Sequence, residues 1–364
     1  MKKTRIHLIA AARPNFMKVA PLYRALGSCD WCQVVLIHTG QHYQPNMSDT
    51  FFKDLGLPSP DYNLGIGGGS HAQQVGRLMM VYEGLCDTAR PDMTIVVGDV
   101  NATLSVALTA AKMSIPVGHV EAGLRSFDRS MPEEINRIVT DSVSDIFFTP
   151  SSDADENLIR EGVQKNRIKM VGNVMIDSYC LLENKIKNTP TPLVDEIERY
   201  AVVTLHRPSN VDDKDRLGGI VSCLRQISSD ISLLAPLHPR TRKNLEKFGF
   251  WEEFSSIPNV FVTNPLGYVE FMAYVRNATF VLTDSGGIQE ETTYLKIPCF
   301  TLRDNTERPV TITQGTNSLV NLQNIIQHID SCLLNGTTNS KCPALWDGKS
   351  AQRICDILET ELKG

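Results

Sequence analysis

The chain of 364 residues is predicted to fold as α/β, in two Rossmann-like domains that are each built on a doubly wound parallel sheet. Three observations predict this. Short apolar runs of strand length alternate with amphipathic helical stretches from Ile6-His7-Leu8-Ile9 onward, which is the pattern of βαβ units. The alternation comes in two series, separated by a polar stretch that contains prolines. The length also exceeds the roughly 250 to 300 residues at which a single core stops growing.

The first series predicts strands at 5–10, 33–38, 93–97, 116–120, 145–148 and 167–171, and the second at 200–205, 231–237, 259–263, 279–283 and 298–302. Helices such as 101–112 and 216–229 lie between them. The opening MKKTRIHLIAAARP has a basic tip and an apolar run, but Arg13-Pro14 interrupts the run too early for a secretory segment, so it reads as the first strand. The break between domains is expected near 178–198, where ENKIKNTPTPLVDEIE is charged and carries two prolines, the composition of a connector. The expected domains are 1–177 and 178–348, followed by an amphipathic helix at 349–364. Gly67-Gly68-Gly69-Ser70 follows no clear strand and reads as a hinge, with Ser70 capping the next helix.

Composition narrows the function. Hydrophobic residues make up 42% and charged residues 21%, and the net charge is −5, which is ordinary for a soluble globular protein. That balance leaves no basic excess for nucleic acid and no Lys/Arg run for a membrane surface. An anionic ligand must be met by local arginines. No stretch approaches the roughly 18 apolar residues of a membrane span. The nine cysteines are scattered and read as reduced thiols of a cytoplasmic protein. Cys29 and Cys32 form a CxxC without a second metal-ligand pair and read as chance spacing at a helix end. Asp153/Asp155 and Asp213/Asp215 have the Asp-x-Asp spacing of some metal sites, but both pairs sit at polar helix starts, where they offset the helix dipole. No metal and no cofactor are expected.

Open parallel sheets bind ligands beyond the carboxyl ends of their strands, and the chemistry-bearing residues fall there. After 93–97 comes Gly98-Asp99, with Asn101 expected to cap the following helix and leave Asp99 free. After 116–120 comes Glu121, then Gly123, then Pro132-Glu133-Glu134 opening a helix with Asn136 and Arg137. A lone first-turn glutamate would be dipole compensation contributing about 0.3–1 kcal/mol. Three carboxylates interleaved with arginines suggest a reaction centre. In the second half, Asp284-Ser285-Gly286-Gly287 joins a strand to a helix start, where glycine N–H groups and the helix dipole suit a diphosphate. Glu290 and Glu291, one turn in, suit ribose hydroxyls. Further cations occupy similar edges: Arg13 and Lys18, His206-Arg207, His238 and Arg240, and Arg308.

Arg13-Pro-Asn-Phe-Met-Lys18, Gly98-Asp99, His119-Val-Glu-Ala-Gly-Leu-Arg125, Pro132-Glu-Glu-Ile-Asn-Arg137, Thr204-Leu-His-Arg207, Asp284-Ser-Gly-Gly-Ile-Gln-Glu-Glu291 and Thr306-Glu-Arg-Pro309 stand in the order and spacing of the non-hydrolysing UDP-N-acetylglucosamine 2-epimerases, which the chain resembles over nearly its whole length. The resemblance implies a GT-B type fold with UDP in a central cleft between the domains, and a last helix packing back on the first domain. It implies inversion at C2 of UDP-N-acetylglucosamine to give UDP-N-acetylmannosamine, by a cytoplasmic homodimer that feeds surface-polysaccharide synthesis. Carried over by motif, Asp99, Glu121 and Glu133 are the acids and bases, with His206 near the diphosphate. Arg13, Lys18, Arg137, Ser285, Gly286, Gly287, Glu291 and Arg308 hold nucleotide and sugar, and His238, Arg240 and Phe271 are expected beside them as further substrate-binding residues.

The chain departs from the family pattern at three places. The segment between Arg125 and Pro132 is short, Pro208-Ser209-Asn210 follows His206-Arg207, and Gln41 to Met47 differs from the usual sequence around a regulatory substrate site. The sugar's C3 and C6 substituents stay open, since epimerases of UDP-diacetamido-uronic acids share similar loops. A hydrolysing epimerase is a rival, though Asn15 stands where such enzymes carry an acid. A glycosyltransferase of the same fold and a catalytically silent UDP-sugar sensor complete the alternatives.

Overall fold

The computed structural model describes residues 3–11, 13–40, 55–335 and 341–363, without the side chains of Arg13, Pro14 and Asn335. The chain divides into two compact units, one of residues 1–181 with 344–364, the other of residues 182–343.

Among the described residues, the first unit has a seven-stranded sheet in the order β3-β2-β1-β4-β5-β6-β7, with every pairing parallel. Its strands are β1 Thr4–Ala10, β2 Cys32–His38, β3 Tyr62–Asn63, β4 Met93–Val97, β5 Val117–Val120, β6 Ile146–Thr149 and β7 Ile168–Met170. The order reverses between β1 and β4, so the switch point lies beside the ends that carry Ala11 to Lys18 and Gly98-Asp99. All five residues of β4 are buried, which accounts for a run of Met93, Ile95, Val96 and Val97 interrupted only by the buried Thr94, in place of alternation. The helix His71–Thr88 starts as expected at Ser70, which accepts from the Gln73 N–H while Gln73 reaches back, a capping box.

Among its described residues, the second unit repeats the plan with six parallel strands in the order β10-β9-β8-β11-β12-β13: β8 Tyr200–Thr204, β9 Ser232–Pro236, β10 Val260–Thr263, β11 Phe280–Thr283, β12 Cys299–Leu302 and β13 Asn317–Val320. Here the reversal falls between β8 and β11, whose ends carry His206 and Asp284. Leu217, Ile220, Val221 and Leu224, on one face of the helix Lys214–Ile227, bury against Val203, Leu233 and Leu282 of the sheet. Sequence patterning identified eleven of these strands. It missed β3, an exposed pair of residues, and β13, whose burial is broken by half-exposed positions.

The C-terminal helix Ser350–Lys363 belongs to the first unit. Asp177 accepts from the N–H groups of Ser350 (3.1 Å) and Ala351 (2.7 Å), and the Trp346 indole donates to the Pro150 carbonyl at 2.9 Å. Gly172, at φ 92°, leaves the space that the Leu345 carbonyl occupies, since a Cβ there would lie 2.1 Å from that oxygen. The helix brings Cys355 Sγ to 2.7 Å from Cys29 Sγ. The CxxC spacing thus hides a thiol contact made with a residue 326 positions away.

No helix among the described residues is long and apolar enough to cross a membrane. Asp153 and Asp155 lie in the first turn of the helix Ser152–Arg160, and Asp213 caps Lys214–Ile227 by accepting from the Arg216 N–H. Both Asp-x-Asp pairs therefore do helix-start work.

Candidate active site

Each unit carries one cluster of the residues singled out in the sequence, at the carboxyl ends of its strands. In the first unit, β5 runs directly into Glu121, which is buried and has φ 71°, a left-handed backbone that glutamate rarely adopts. Gly123 follows at φ 80°, where a Cβ would strike the Ala154 carbonyl at 2.4 Å. The chain therefore kinks on both sides of Ala122 and turns Glu121 back over the sheet edge. There its carboxylate pairs with the Lys18 ammonium. A Cβ on Gly98 would lie 3.3 Å from Glu121 Oε2 and 3.5 Å from Lys18 Nζ, so the Gly98-Asp99 turn packs against this pair.

Asp99 pairs in turn with Arg137, at 2.5 Å. The Arg137 guanidinium is buried and also binds Glu134 at 2.6 Å, and Asn136 donates to the Asp99 carbonyl at 2.8 Å. Lys18 and Arg137, expected to hold nucleotide and sugar, thus partner two of the expected catalytic carboxylates. Glu133 is exposed on the same helix, Pro132–Val143, one turn before Arg137 and on its face. It has no hydrogen-bond or ion-pair partner among the described residues. Its neighbour Glu134, for which no role is expected from the sequence, is buried and accepts from Ser126 N, Phe127 N and Arg137. Burial works against that charge, but these donors outweigh it and hold the carboxyl below its ordinary range.

One expectation is corrected. Asn101 does not cap its helix: Val100 occupies the cap position without a side-chain bond. The Asn101 amide instead joins His71 (3.0 Å), Gln74 (2.9 Å) and Asn136 (3.2 Å), which ties three helices together beside Asp99. Asn15 donates to the Val97 carbonyl at 2.8 Å and accepts from Ala11 N–H at 2.9 Å. An aspartate at 15 would face that carbonyl with a charge and no proton. The Arg13 side chain and the segment 41–47 lie outside the described residues.

In the second unit, His206 stands just after β8 and Asp284 just after β11. The Asp284 carboxylate is fully buried and accepts from His206 N (3.0 Å), Arg207 N (2.9 Å) and Asn210 Nδ2 (3.0 Å), with the His206 ring nitrogen at 3.1 Å. Burial opposes its ionisation, yet His206, Asn210 and Arg207 hold its pKa below the ordinary value. The ring of His238 lies 5.2 Å from that of His206, and burial, then His206 and Arg240, lower its pKa. Ser285 leads into the helix Gly286–Leu295 without a side-chain cap bond. A Cβ on Gly286 would meet Glu307 Oε1 at 2.6 Å and Arg308 at 2.8 Å, whereas Gly287 faces open space. Arg308 binds Glu290 at 2.8 Å and also pairs with Glu307. Glu291 is buried, and that burial, reinforced by Glu290 and partly offset by the Tyr268 hydroxyl, pushes its pKa up to about 7.

His206, His238, Ser285 to Gly287, Glu291 and Arg308 are therefore carried just beyond the carboxyl ends of β8, β9, β11 and β12 and on the helix that follows β11. Arg240 adjoins them through its N–H, which donates to His238 Nδ1 at 3.2 Å, while its guanidinium binds Asp212 at 2.5 Å on the exposed surface. Phe271 is half-buried on the helix Tyr268–Val275, three residues from the Tyr268 that meets Glu291.

With this geometry in place, a family model described as UDP-N-acetylglucosamine 2-epimerase matches residues 24–359. The chain belongs to that epimerase family. It is 43% identical to the UDP-N-acetylglucosamine 2-epimerase of Methanocaldococcus jannaschii, over 97% of this chain and 98% of that protein. It is 39% identical to the UDP-2,3-diacetamido-2,3-dideoxy-D-glucuronate 2-epimerase of Pseudomonas aeruginosa, over 97% of this chain and 99% of that one. The crystal structure of the M. jannaschii epimerase in complex with UDP-GlcNAc and UDP matches this fold with a TM-score of 0.89 at 41% identity, covering 98% of this chain and all of the other. As a family member the chain is an isomerase, and its two parallel-sheet units are those of its GT-B-like structural neighbours.

Proposed function

We propose that this protein interconverts UDP-N-acetylglucosamine and UDP-N-acetylmannosamine without net hydrolysis. The observation that carries the proposal is the pairing of Glu121 with Lys18 and of Asp99 with Arg137 around one strand-end turn, in a chain 43% identical to an enzyme of that name.

The C2 hydrogen of an N-acetylhexosamine has no adjacent carbonyl, so its direct removal leaves an unstabilised carbanion. Elimination avoids this. In the α-linked gluco sugar the UDP oxygen on C1 and the hydrogen on C2 are antiperiplanar. A carboxylate takes the proton while the C1–O bond breaks, the electron pair forms the C1=C2 bond, and UDP leaves with its charge. Reprotonation at C2 on the opposite face, with UDP re-adding at C1, gives the manno isomer. Two faces require two acid–base groups, and a carboxylate cluster with nearby cations can hold one member protonated and another ionised. The proposal assigns these roles to Asp99, Glu121 and Glu133. It assigns UDP to the second unit, where the Gly286–Leu295 helix start and Arg308 suit a diphosphate. His206 and His238 face the charge that grows on it, and Glu291 suits the ribose hydroxyls. Location in the cytoplasm, a homodimeric state and a role in surface-polysaccharide synthesis belong to the same proposal and rest on family resemblance.

Incubation with UDP-N-acetylglucosamine, followed by phosphorus and proton NMR, tests it. Both epimers should accumulate as intact nucleotide sugars. Steady release of free UDP with free N-acetylmannosamine would instead identify a hydrolysing enzyme. The 39% identity to the diacetamido-glucuronate epimerase supports a second reading, in which the sugar carries a 3-acetamido group and a C6 carboxylate. A kcat/KM at least tenfold higher for that nucleotide sugar would favour it.

A further inference from the structure

One buried cluster in the first unit lies outside the groups assigned to the reaction. The His119 ring is fully buried on β5, with Nδ1 at 2.6 Å from Asp141 Oδ1 and Nε2 at 2.9 Å from the Gly98 carbonyl oxygen. A carboxylate and a carbonyl both only accept, so each end of the ring meets a group that calls for an N–H. The charge is balanced locally: Asp141 also binds Arg125 at 2.7 Å, and Arg125 binds Glu161 at 2.6 Å.

The second oxygen of Asp141 accepts from Gly123 N–H at 3.1 Å. One carboxylate thereby grips the chain two residues before and two residues after Glu121, the residue with the unfavourable φ of 71°. A strained backbone persists only where its surroundings over-determine it, and here Asp141 and His119 do so. The other ring nitrogen of His119 holds the carbonyl immediately before Asp99. Asp141 itself stands on Pro132–Val143, the helix that carries Glu133. Three segments, each bearing one of the proposed acids, converge on a single buried pair.

We propose that His119 and Asp141 are positioning residues, a strut that fixes Asp99 and Glu121 relative to each other and to the helix of Glu133. The assignment rests on the epimerase reading. Asparagine at 119 reproduces the Nδ1 donor and loses the Gly98 link, whereas glutamine reproduces the Nε2 donor and loses the Asp141 link. Each substitution, His119→Asn or His119→Gln, is expected to lower kcat on the order of a hundredfold, the loss associated with misplacement by about 1 Å. KM and UDP affinity should stay within about threefold of wild type, because the loss falls on the transition state.

Variants with kcat within threefold of wild type would overturn the strut, and so would variants that lose UDP affinity in step with kcat. Should neither variant fold, a crystal structure of the wild-type protein decides: the His119 ring must bridge the Asp141 carboxylate and the Gly98 carbonyl, and a ring turned away from either would overturn the geometry. Failure of the epimerase reading shows separately, as wild-type protein that epimerises no nucleotide sugar, and the crystal structure still judges the bridge.

Discussion

The guanidinium of Arg137 binds the carboxylate of Asp99 at 2.5 Å while a second buried carboxylate, Glu134, holds it from behind at 2.6 Å. The arrangement fixes the cation before any substrate arrives. Arg137→Met would leave Glu134 buried without its counter-charge, which costs about 3–5 kcal/mol. A thermal melt should show a large fall. Arg137→Lys restores a charge but not the two-sided geometry, so it should recover most of the stability and little of the activity. Equal recovery of both would show that Arg137 acts only as a charge.

The backbone of Glu121 makes a stability prediction that runs against habit. Glu121→Ala and Glu121→Gly both lose the Lys18 pair and both should abolish epimerisation. At φ 71° the alanine variant keeps a left-handed strain of about 1–2 kcal/mol that glycine lacks. The glycine variant should therefore melt higher, although glycine ordinarily destabilises. An alanine variant at least as stable as the glycine one would contradict the kinked geometry.

Glu291 makes stability depend on pH. Its pKa in the folded protein is raised from 4.5 to about 7, so the folded state keeps a proton that the unfolded chain releases between those values. Its contribution is full below pH 4.5 and declines as pH rises towards 7, by up to about 3 kcal/mol. Glu291→Gln should flatten the pH dependence of the melting temperature between pH 5 and 7 and stabilise the protein at pH 8. The same variant should bind UDP more weakly, because the amide accepts less well than a carboxylate from two hydroxyls. A wild-type melting profile that the substitution leaves unchanged would refute this burial effect.

Asp284 gathers two backbone N–H groups, the Asn210 amide and the His206 ring. Asp284→Asn puts an amide donor among donors and should destabilise the protein by about 1–3 kcal/mol. Calorimetric titration with UDP should show affinity down by at least tenfold, since the turn that carries His206 and the Ser285-Gly286 start share this anchor. Unchanged UDP affinity would separate Asp284 from the nucleotide.

Much of this was legible in the sequence, for physical reasons. Strands buried on both faces, such as β4, read as mostly apolar runs, and the parallel-sheet rule then points to Asp99, Glu121, His206 and Asp284 at their ends. Short β3 and half-exposed β13 left no such trace. The pairings were not legible, because they join residues far apart in sequence: Lys18 with Glu121, His119 with Asp141 and Gly98, Cys29 with Cys355. Asn101 was misread for a related reason. A helix-start asparagine ordinarily caps its own helix, and only tertiary structure showed its amide drawn to His71, Gln74 and Asn136. Glu134 passed unnoticed beside Glu133, although a carboxylate pair in one first turn left open which member faced inward.

Reaction in deuterated water puts the acid–base assignment to its sharpest test. If Asp99, Glu121 and Glu133 exchange the C2 proton during elimination and return of UDP, the recovered UDP-N-acetylhexosamines must carry deuterium at C2 and nowhere else on the ring, and Glu121→Gln must suppress the labelling. Epimerised nucleotide sugar that retains its original C2 hydrogen would contradict the account.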